Sequence, residues 1–281
     1  MPGLPVSFLS DFGAVDEFVG VVHGVIERVA PGTRVLDVTH GIPRGDVRAG
    51  ALALLRAVQY LPDGVVLAVV DPGVGTARRA LGVDTARGFF VGPDNGLLAP
   101  AVAMVGGAGR FVSLEAPEFR LAAAGGTFDA RDVFAPAAAV LASGEARLED
   151  LGPQVDPGSI SPLLLPLVET GDGFASGEVW WIDLFGNAQT NVSPDDMALA
   201  GLLPGKPVEV RIGAATHTME WVNGYGDGRN PVVHVDSHGL MTLAIAGGRA
   251  DERLGLQAGS SVVFRSPTPD ERRTPPPSPS G

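Results

Sequence analysis

Apolar segments with two different spacings alternate along the first half of the chain. Val65 to Val70 is an unbroken apolar run, which is typical of a strand buried on both faces of a parallel sheet. Between residues 16 and 30, apolar side chains recur at the spacing of one helix face and stop before Pro31. The alternation predicts an α/β domain over residues 1–155, with a mostly parallel central sheet flanked by helices. Further strands are predicted at Val6–Leu9 and Arg34–Val38, and a helix from an N-cap at Asp46 to Ala57.

The pattern changes after a proline- and glycine-rich stretch at residues 156–173, which predicts a linker. Beyond it, short apolar runs are separated by glycine, proline and aspartate turns, which predict a small all-β domain over residues 174–265, either a barrel or a sandwich. Residues 266–281 are rich in proline and are predicted to be a disordered tail. The predicted strands are Val179–Ile182, Val208–Ile212, Val232–Val235, Leu240–Ile245 and Ser261–Phe264.

The composition excludes several classes of protein. A net charge of -12 would repel phosphate backbones, so no nucleic-acid partner is expected. The chain has no cysteine, which excludes disulfides, thiolate zinc sites and cysteine nucleophiles. Its apolar stretches are interrupted before the ~18 residues that a membrane span needs, and Asp11 comes too early for a signal peptide. We therefore expect a globular protein of the cytoplasm with no membrane partner.

A glycine turn follows the apolar run of the third predicted strand. Gly73 and Gly75 begin a pattern similar to the nucleotide-binding G-x-G-x-x-G, but Arg78 occupies its last position and no Walker lysine follows. A tight turn after a strand is the favoured interpretation of these glycines.

Acidic and amide residues follow several of the predicted strands. Together with a histidine they have the chemistry of a metal site, but the same residue types are typical of turns and helix caps. No H-x-x-x-H or D-x-D pair supports the metal interpretation, so we expect no metal ion. His23 lies in a predicted helix and is expected to be a packing or surface group. The series comprises Asp11, Asp37, His40, Asp71, Asp94 and Asn95.

Two short sequences in the second half allow more than one interpretation. Asn187 has an amide of the kind that reads an adenine edge, and Phe185 offers a stacking face, but an ordinary hairpin turn at Gly186-Asn187 is at least as well supported. The step at Ser237-His238 is, by itself, a turn between two strands.

The segment from Gly125 to Pro136 places three charges before a predicted helix. Asp132 is predicted to cap that helix, and Arg131 to be structural. Asp129 is either a loop charge or a catalytic carboxylate, and the local sequence does not separate the two.

Seven segments of the chain, taken in order, are similar to those of one family. From about Val6 to Phe264 the chain resembles the S-adenosyl-L-methionine hydroxide adenosyltransferases, the hydrolytic relatives of the adenosyl-fluoride and adenosyl-chloride synthases. The segments are LSDFGAVDEFVG, DVTHGIP, VVDPGVGTARRAL, VGPDNGLL, GGTFDARDVFAP, WIDLFGNAQTN and DSHGLMTLAIAGG.

The resemblance implies a C-terminal β-barrel domain and a homotrimer. The site would lie where the N-terminal domain of one subunit meets the C-terminal domain of the next. The implied reaction is attack by water or hydroxide at the ribose C5′ of S-adenosyl-L-methionine, which gives adenosine and L-methionine without a cofactor. The implied substrate-binding positions are Asp11 for the ribose hydroxyls, Asp16 and Asp183 for the ammonium, Ser237 and His238 at the carboxylate, and Phe185, Asn187 and the backbone near Gly247 for adenine.

Three positions correspond to the water-activating trio of this family. Asp71 and Arg78 match two of them, whereas Asp129 stands where the family has a histidine and Ala130 where it has a glycine. Gly45 also replaces an aromatic residue. If Asp71 and Asp129 lie close together, one carboxylate would accept a proton from water and the other would orient it, as a coupled pair.

Charge favours water over halide as the nucleophile. The halogenating relatives have a tyrosine at the position of Asp71, and two carboxylates beside a halide would repel it. We therefore expect Asp71, Arg78 and Asp129 to act on water. Three alternatives stay open: a binding protein for S-adenosylmethionine or adenosine with impaired catalysis, a chloride-using transferase, and a metal-dependent hydrolase.

Overall fold

A computed structural model describes residues 3–122, 125–225 and 230–267. The chain forms two compact units, Met1–Leu164 and Leu165–Gly281, and the division falls within the stretch predicted as a linker. Part of that stretch has regular structure of its own, because it contains a short 3₁₀ helix and one strand. The predicted tail lies outside the described residues from residue 268 onward. No helix in the described part of the chain is long and apolar enough to cross a membrane.

The first unit is built on a six-stranded sheet in the order β2-β1-β3-β5-β4-β6. The β2-β1, β1-β3 and β3-β5 pairs are parallel, and β4 runs antiparallel to both of its neighbours. The predicted α/β domain is confirmed. Its elements are β1 Val6–Ser10, α1 Phe18–Val29, β2 Val35–Thr39, α2 Val47–Val58, β3 Gly64–Val69, β4 Ala80–Thr85, β5 Gly88–Pro93, α3 Ala99–Met104, β6 Ala108–Ser113, a π-helical segment Ala130–Phe134, α4 Ala135–Ser143, and 3₁₀ turns at Pro117–Phe119, Leu148–Leu151 and Pro157–Ser159.

Burial on both faces explains the unbroken apolar run of β3. Val65 and Leu67 pack with α1 and α4 on one side of the sheet, whereas Val66 and Ala68 pack with α2 and α3 on the other. Successive side chains of a strand point to opposite faces, so a central strand covered on both sides needs apolar residues at every position.

The parallel strands place their following loops at one edge of the sheet. Asp11 follows β1, His40 follows β2 and Asp71 follows β3, and in open α/β sheets the carboxyl ends of the strands are where ligands bind. Asp46 caps α2 as predicted, because its side chain accepts a hydrogen bond of 2.9 Å from the amide of Ala49.

The second unit is a closed barrel of seven strands. The ladder runs β14-β10-β11-β12-β13-β9-β8, and β14 also pairs with β8, which closes the ring, while β7 pairs with β8 outside it. The barrel implied by the family resemblance is confirmed. Its elements are β7 Glu169–Gly171, β8 Phe174–Ile182, β9 Ala188–Thr190, α5 Pro194–Leu199, β10 Pro207–Ile212, β11 Ala215–Trp221, β12 Val232–Val235, β13 Met241–Ala244, α6 Ala250–Leu254 and β14 Ser261–Arg265.

Candidate active site

One guanidinium joins two carboxylates at the edge of the first unit's sheet. Arg78 Nε donates hydrogen bonds of 2.9 Å to both oxygens of Asp71, and Nη2 also donates to Asp71 Oδ2. The same Nη2 donates to Asp129 Oδ2 at 2.5 Å. The three residues of the predicted trio therefore form one cluster. Asp71 and Asp129 are 58 positions apart in the sequence (129 − 71).

The two carboxylates of this cluster differ in exposure. The Asp71 side chain is 5% exposed, and both of its oxygens accept from Arg78. The Asp129 side chain is 23% exposed, and its Oδ1 accepts no hydrogen bond from the described residues. Asp129 is therefore the carboxylate with a free oxygen for a water molecule.

The electrostatics of the cluster keep its arginine charged. Burial acts to lower the pKa of Arg78, but hydrogen bonds and charge from Asp71, and then from Asp129, raise it above its ordinary value. The guanidinium also lies 5.1 Å from the ring centroid of Phe134, within the range of a cation–π contact. One permanent cation between two carboxylates leaves an excess of negative charge in the cluster.

A π-helical segment positions Asp129. The segment begins after Asp129 and runs directly into α4, so the carboxylate projects from the start of a buried helix. Such segments are rare and often occur at functional sites. Asp129 makes no cap hydrogen bond, and its Oδ2 accepts one from Arg78.

The predicted capping role of Asp132 is wrong. Asp132 lies inside the π-helical segment, where its buried carboxylate accepts hydrogen bonds of 2.6 and 2.8 Å from Arg131. The helical path begins three residues earlier than the sequence pattern indicates, so this carboxylate is past the cap position. Arg131 has the structural role expected of it.

The loop after β1 is hydrogen-bonded to the loop that precedes α2. Asp11 Oδ2 accepts a hydrogen bond of 2.7 Å from the amide of Gly45. Gly45 has a φ of +69°, and a Cβ there would lie 3.5 Å from Pro72, the neighbour of Asp71. Asp16 is exposed in the turn before α1, with no hydrogen bond to the described residues. Asp11 is therefore held against the loop before α2, whose Gly45 adjoins Pro72, and Asp16 is open to solvent.

Asp94 and Asn95, two members of the acidic series, have structural partners. Asp94 is buried and pairs with Arg79 at 2.9 Å and with the amide of Ser161 at 2.8 Å. The side chain of Asn95 donates to the carbonyl of Val70 at 2.9 Å. These contacts fix loops of the first unit and account for both side chains without a ligand.

In the second unit, Asp183 organises the turn between β8 and β9. Its Oδ1 accepts hydrogen bonds of 2.9 Å from the amides of Phe185 and Asn187, and its Oδ2 accepts one of 2.8 Å from Asn187 Nδ2. Gly186 completes the turn with a φ of +84°. The predicted binding residues Phe185 and Asn187 therefore lie in the predicted hairpin turn. In this turn Phe185 is 76% exposed.

Two adjoining pockets collect the predicted binding residues of the second unit. A pocket of about 660 Å³ is lined by Phe185, Asn187 and Gly247. A second pocket of about 390 Å³ is lined by residues that include Asp183, Ser237 and His238. Asn187 and Tyr225 line both pockets, so the two form one continuous surface with an aromatic and amide part and a charged part.

The smaller pocket contains polar residues that the sequence analysis missed. Asp236 accepts hydrogen bonds from the backbone amide of His238 at 2.8 Å, from Thr242 Oγ1 at 3.1 Å and from the side-chain amide of Gln189. Gln189 Oε1, His234 Nε2 and His238 Nδ1 are buried without a hydrogen-bond partner among the described residues. Buried polar atoms without partners are costly, and a polar ligand or water in this pocket would supply partners for these three. Gln189 follows Asn187 by two residues, the spacing of one strand face, which is the signal that would have identified it.

Removing the Asp183 carboxylate is expected to loosen this turn. Asp183→Ala removes an acceptor of three hydrogen bonds, and we expect the free energy of unfolding to fall by about 1–3 kcal/mol. Chemical denaturation measures the change. Asp172→Ala, at an exposed aspartate in another turn of the same unit, is the matched control and is expected to stay within about 0.5 kcal/mol of the parent. Equal effects of the two substitutions would contradict this role for Asp183.

Comparison with known proteins identifies similar sequences over both units. The family model described as SAM hydroxide adenosyltransferase N-terminal domain matches residues 6–152, and the one described as its C-terminal domain matches residues 177–263. A protein of Salinispora arenicola named (R)-S-adenosyl-L-methionine hydrolase is 45% identical over 92% of this chain and 96% of its own length. A protein of the same name from Thermus thermophilus is 43% identical over 92% of this chain and 98% of its own.

Proteins of lower sequence identity match this chain over a similar share of its length. A fluorinase of Actinoplanes is 27% identical over 92% of this chain and 96% of its own length. A crystal structure described as an uncharacterized conserved protein from Thermotoga maritima is 31% identical, covers 92% of this chain and 99% of its own, and has a TM-score of 0.85.

Proposed function

Because the chain belongs to the SAM hydroxide adenosyltransferase family, we propose that it hydrolyses S-adenosyl-L-methionine to adenosine and L-methionine. The observation that carries the proposal is the cluster in which Arg78 joins Asp71 and Asp129. In the reaction, the oxygen of water forms a bond to C5′ of the ribose. The C5′–S bond breaks with its electron pair going to sulfur, which neutralises the sulfonium and releases methionine.

Asp129 is the general base of this proposal. Water must lose one proton as it attacks, and the free Oδ1 of Asp129 is available to accept it. Asp71 and Arg78 hold the other oxygen of Asp129 in place, since Asp71 fixes the guanidinium through two hydrogen bonds at Nε. A sulfonium is a good leaving group, so the protein has mainly to orient one water and take its proton.

The substrate-binding part of the proposal follows the chemistry of the described side chains. Carboxylates suit a ribose diol and an ammonium, an amide suits an adenine edge, and an exposed ring suits stacking. The unpartnered Nδ1 of His238 suits a carboxylate. The proposed assignments are Asp11 for the ribose, Asp16 and Asp183 for the ammonium, Ser237 and His238 for the carboxylate, and Phe185, Asn187 and the backbone near Gly247 for adenine.

Incubation with S-adenosyl-L-methionine tests the proposal directly. We expect adenosine and methionine in equal amounts, measured by chromatography, and label from ¹⁸O-water in the 5′-hydroxyl of adenosine. The similar hydrolases are named for the (R) epimer at sulfur, so a mixture of the two sulfonium epimers should lose the (R) epimer faster. Release of adenine, or label absent from adenosine, would contradict attack at C5′.

The excess negative charge of the cluster favours water over an anion. With chloride or fluoride present we expect no 5′-halo-5′-deoxyadenosine, because the two carboxylates joined by Arg78 would repel an anion beside them. A halide-dependent halogenated nucleoside would support the transferase alternative instead.

A binding protein with impaired catalysis is the second candidate function. It is favoured by the hydrogen bond from Arg78 to Asp129, which occupies one oxygen of the proposed base. Binding of S-adenosyl-L-methionine in calorimetry, without formation of adenosine in a single-turnover experiment, would identify this function.

The proposal extends to the assembly and requirements of the enzyme. We expect a cytoplasmic homotrimer, as the sequence resemblance implies, and light scattering should give three times the monomer mass. We expect no cofactor for the reaction itself. Activity that survives removal of metal ions by a chelator would agree with this, and activity lost on chelation and restored by a metal would favour the metal-dependent hydrolase.

A further inference from the structure

Two histidines and an aspartate meet beside the first two strands, outside the proposed catalytic cluster. His23 projects from α1, Asp37 from β2 and His40 from the loop after β2. His23 Nε2 lies 2.8 Å from Asp37 Oδ1, and His40 Nε2 lies 3.0 Å from the same oxygen. Among the described residues, this is the group of three whose ligand atoms all lie within 4.8 Å of one another.

Two further observations indicate that His40 can bind a ligand through Nε2. Its Nδ1 lies 2.8 Å from Ser10 Oγ, so the other ring nitrogen is held by the second contact that metal-binding histidines usually have. Its Nε2 is buried and, although close to Asp37, makes no hydrogen bond with acceptable geometry. The cluster therefore leaves one buried donor atom unsatisfied, which a purely hydrogen-bonded arrangement would not require.

The separations within the cluster are close to those of a metal site. Ligand atoms about 2.1 Å from a tetrahedral ion lie about 3.4 Å from one another. The two measured separations of 2.8 and 3.0 Å need only a few tenths of an ångström of movement to reach this arrangement. The side chains of His23 and Asp37 are 36% and 44% exposed, so an ion has access from solvent.

The ligand types of the cluster suit a transition metal. Two imidazoles with one carboxylate are the ligand set of zinc and neighbouring divalent transition metals, rather than of calcium or magnesium.

We propose that His23, Asp37 and His40 form a binding site for one divalent transition-metal ion of the zinc type. Nε2 of each histidine and Oδ1 of Asp37 supply three ligands, and solvent supplies the fourth. The ion ties α1 to the end of β2. The carbonyl of His40 accepts a hydrogen bond of 2.8 Å from Gly13, so the bound ion also steadies the loop that carries Asp11. The role of the ion in this proposal is structural.

Zinc binding to tag-free, chelator-treated protein tests the site. Calorimetry is expected to show one equivalent of Zn²⁺, and Co²⁺ should give the visible absorption of a tetrahedral nitrogen- and oxygen-ligated ion. The melting temperature should rise with Zn²⁺ concentration, because the ion binds the folded state. Hydrolysis of S-adenosyl-L-methionine by the same metal-free protein is measured separately, so the site and the proposed function can fail independently.

Substitutions locate the ion. His23→Gln, on an accessible helix position, should weaken Zn²⁺ binding roughly 100-fold, and Ser10→Ala, which removes the contact to His40 Nδ1, roughly 10-fold. His217→Gln removes a histidine of β11 in the other unit and should leave the affinity unchanged. Absence of one-equivalent binding in the parent, or equal loss in His23→Gln and His217→Gln, would overturn the proposal.

Discussion

Arg78→Met is expected to slow hydrolysis strongly and to destabilise the first unit. The substitution leaves Asp71 and Asp129 facing each other without the cation that joins them, and Asp71 is almost fully buried. Breaking a buried ion pair by removing one partner costs about 3–5 kcal/mol. Losing the group that positions the base should lower kcat by roughly 10³-fold. Steady-state kinetics and chemical denaturation measure the two effects.

A second arginine provides the control for this effect. Arg110 forms an exposed pair with Glu149 at 2.9 Å, so Arg110→Met should change stability by less than about 1 kcal/mol and leave kcat unchanged. If Arg78→Met proves too unstable to assay, the double variant Asp71→Asn, Arg78→Met reduces the unbalanced charge and should recover part of the stability. An Arg78→Met protein as active as the Arg110 variant would rule out the proposed cluster.

Asp129→Ala is expected to lower kcat by roughly 10²–10⁴-fold with little change in KM. This is the range typical of a lost general base. Among the described residues, the one side-chain hydrogen bond of Asp129 is that with Arg78. Asp129→His should retain turnover, because imidazole is the better base near neutral pH. Its kcat should rise with pH through about 6.5 as the imidazole loses its proton. Kinetics of the parent and both variants over a range of pH give the comparison.

The same pair of variants separates catalysis from positioning. A residue that only shapes the site would raise KM and would not produce the new pH dependence in Asp129→His. Turnover in Asp129→Ala equal to that of the parent would show that Asp129 has no catalytic role, and the assignment of the base would then be wrong.

The fold was predictable where the physical constraint is local and strong. A strand buried on both faces must be apolar throughout, so β3 was visible in the sequence, and the Asp46 cap was visible because its hydrogen bond is made three residues away. The bounds of β11, Ala215–Trp221, were not predicted, because only Met219 and Trp221 are buried and the residues between Ala215 and Met219 are polar. The strand β9 has only three residues, too few to show a period.

The site was less predictable, because its contacts join distant parts of the chain. The family resemblance predicted that Asp71, Arg78 and Asp129 form one site. Residue spacing alone would not have predicted this. Asp132 was assigned to a cap because the π-helical start cannot be recognised from composition. His23 was assigned to packing or the surface, because it lies in a predicted helix. Its contact with Asp37, 14 residues away, forms only when α1 lies against β2.

Closure of the barrel makes the folding of the second unit depend on its last strand. The closing ladder pairs Phe174 with Arg265 and Glu178 with Ser261, contacts between residues more than 80 positions apart. Long-range pairing of this kind slows folding, because the loop entropy must be overcome before the ladder forms. A nascent chain that ends before Val262 would expose the unpaired edges of β8 and β10. Strands of other chains can pair with such edges. Ribosomal stalling or proteolysis just before this strand should therefore give an aggregating product, whereas cleavage after Arg265 should leave the barrel intact.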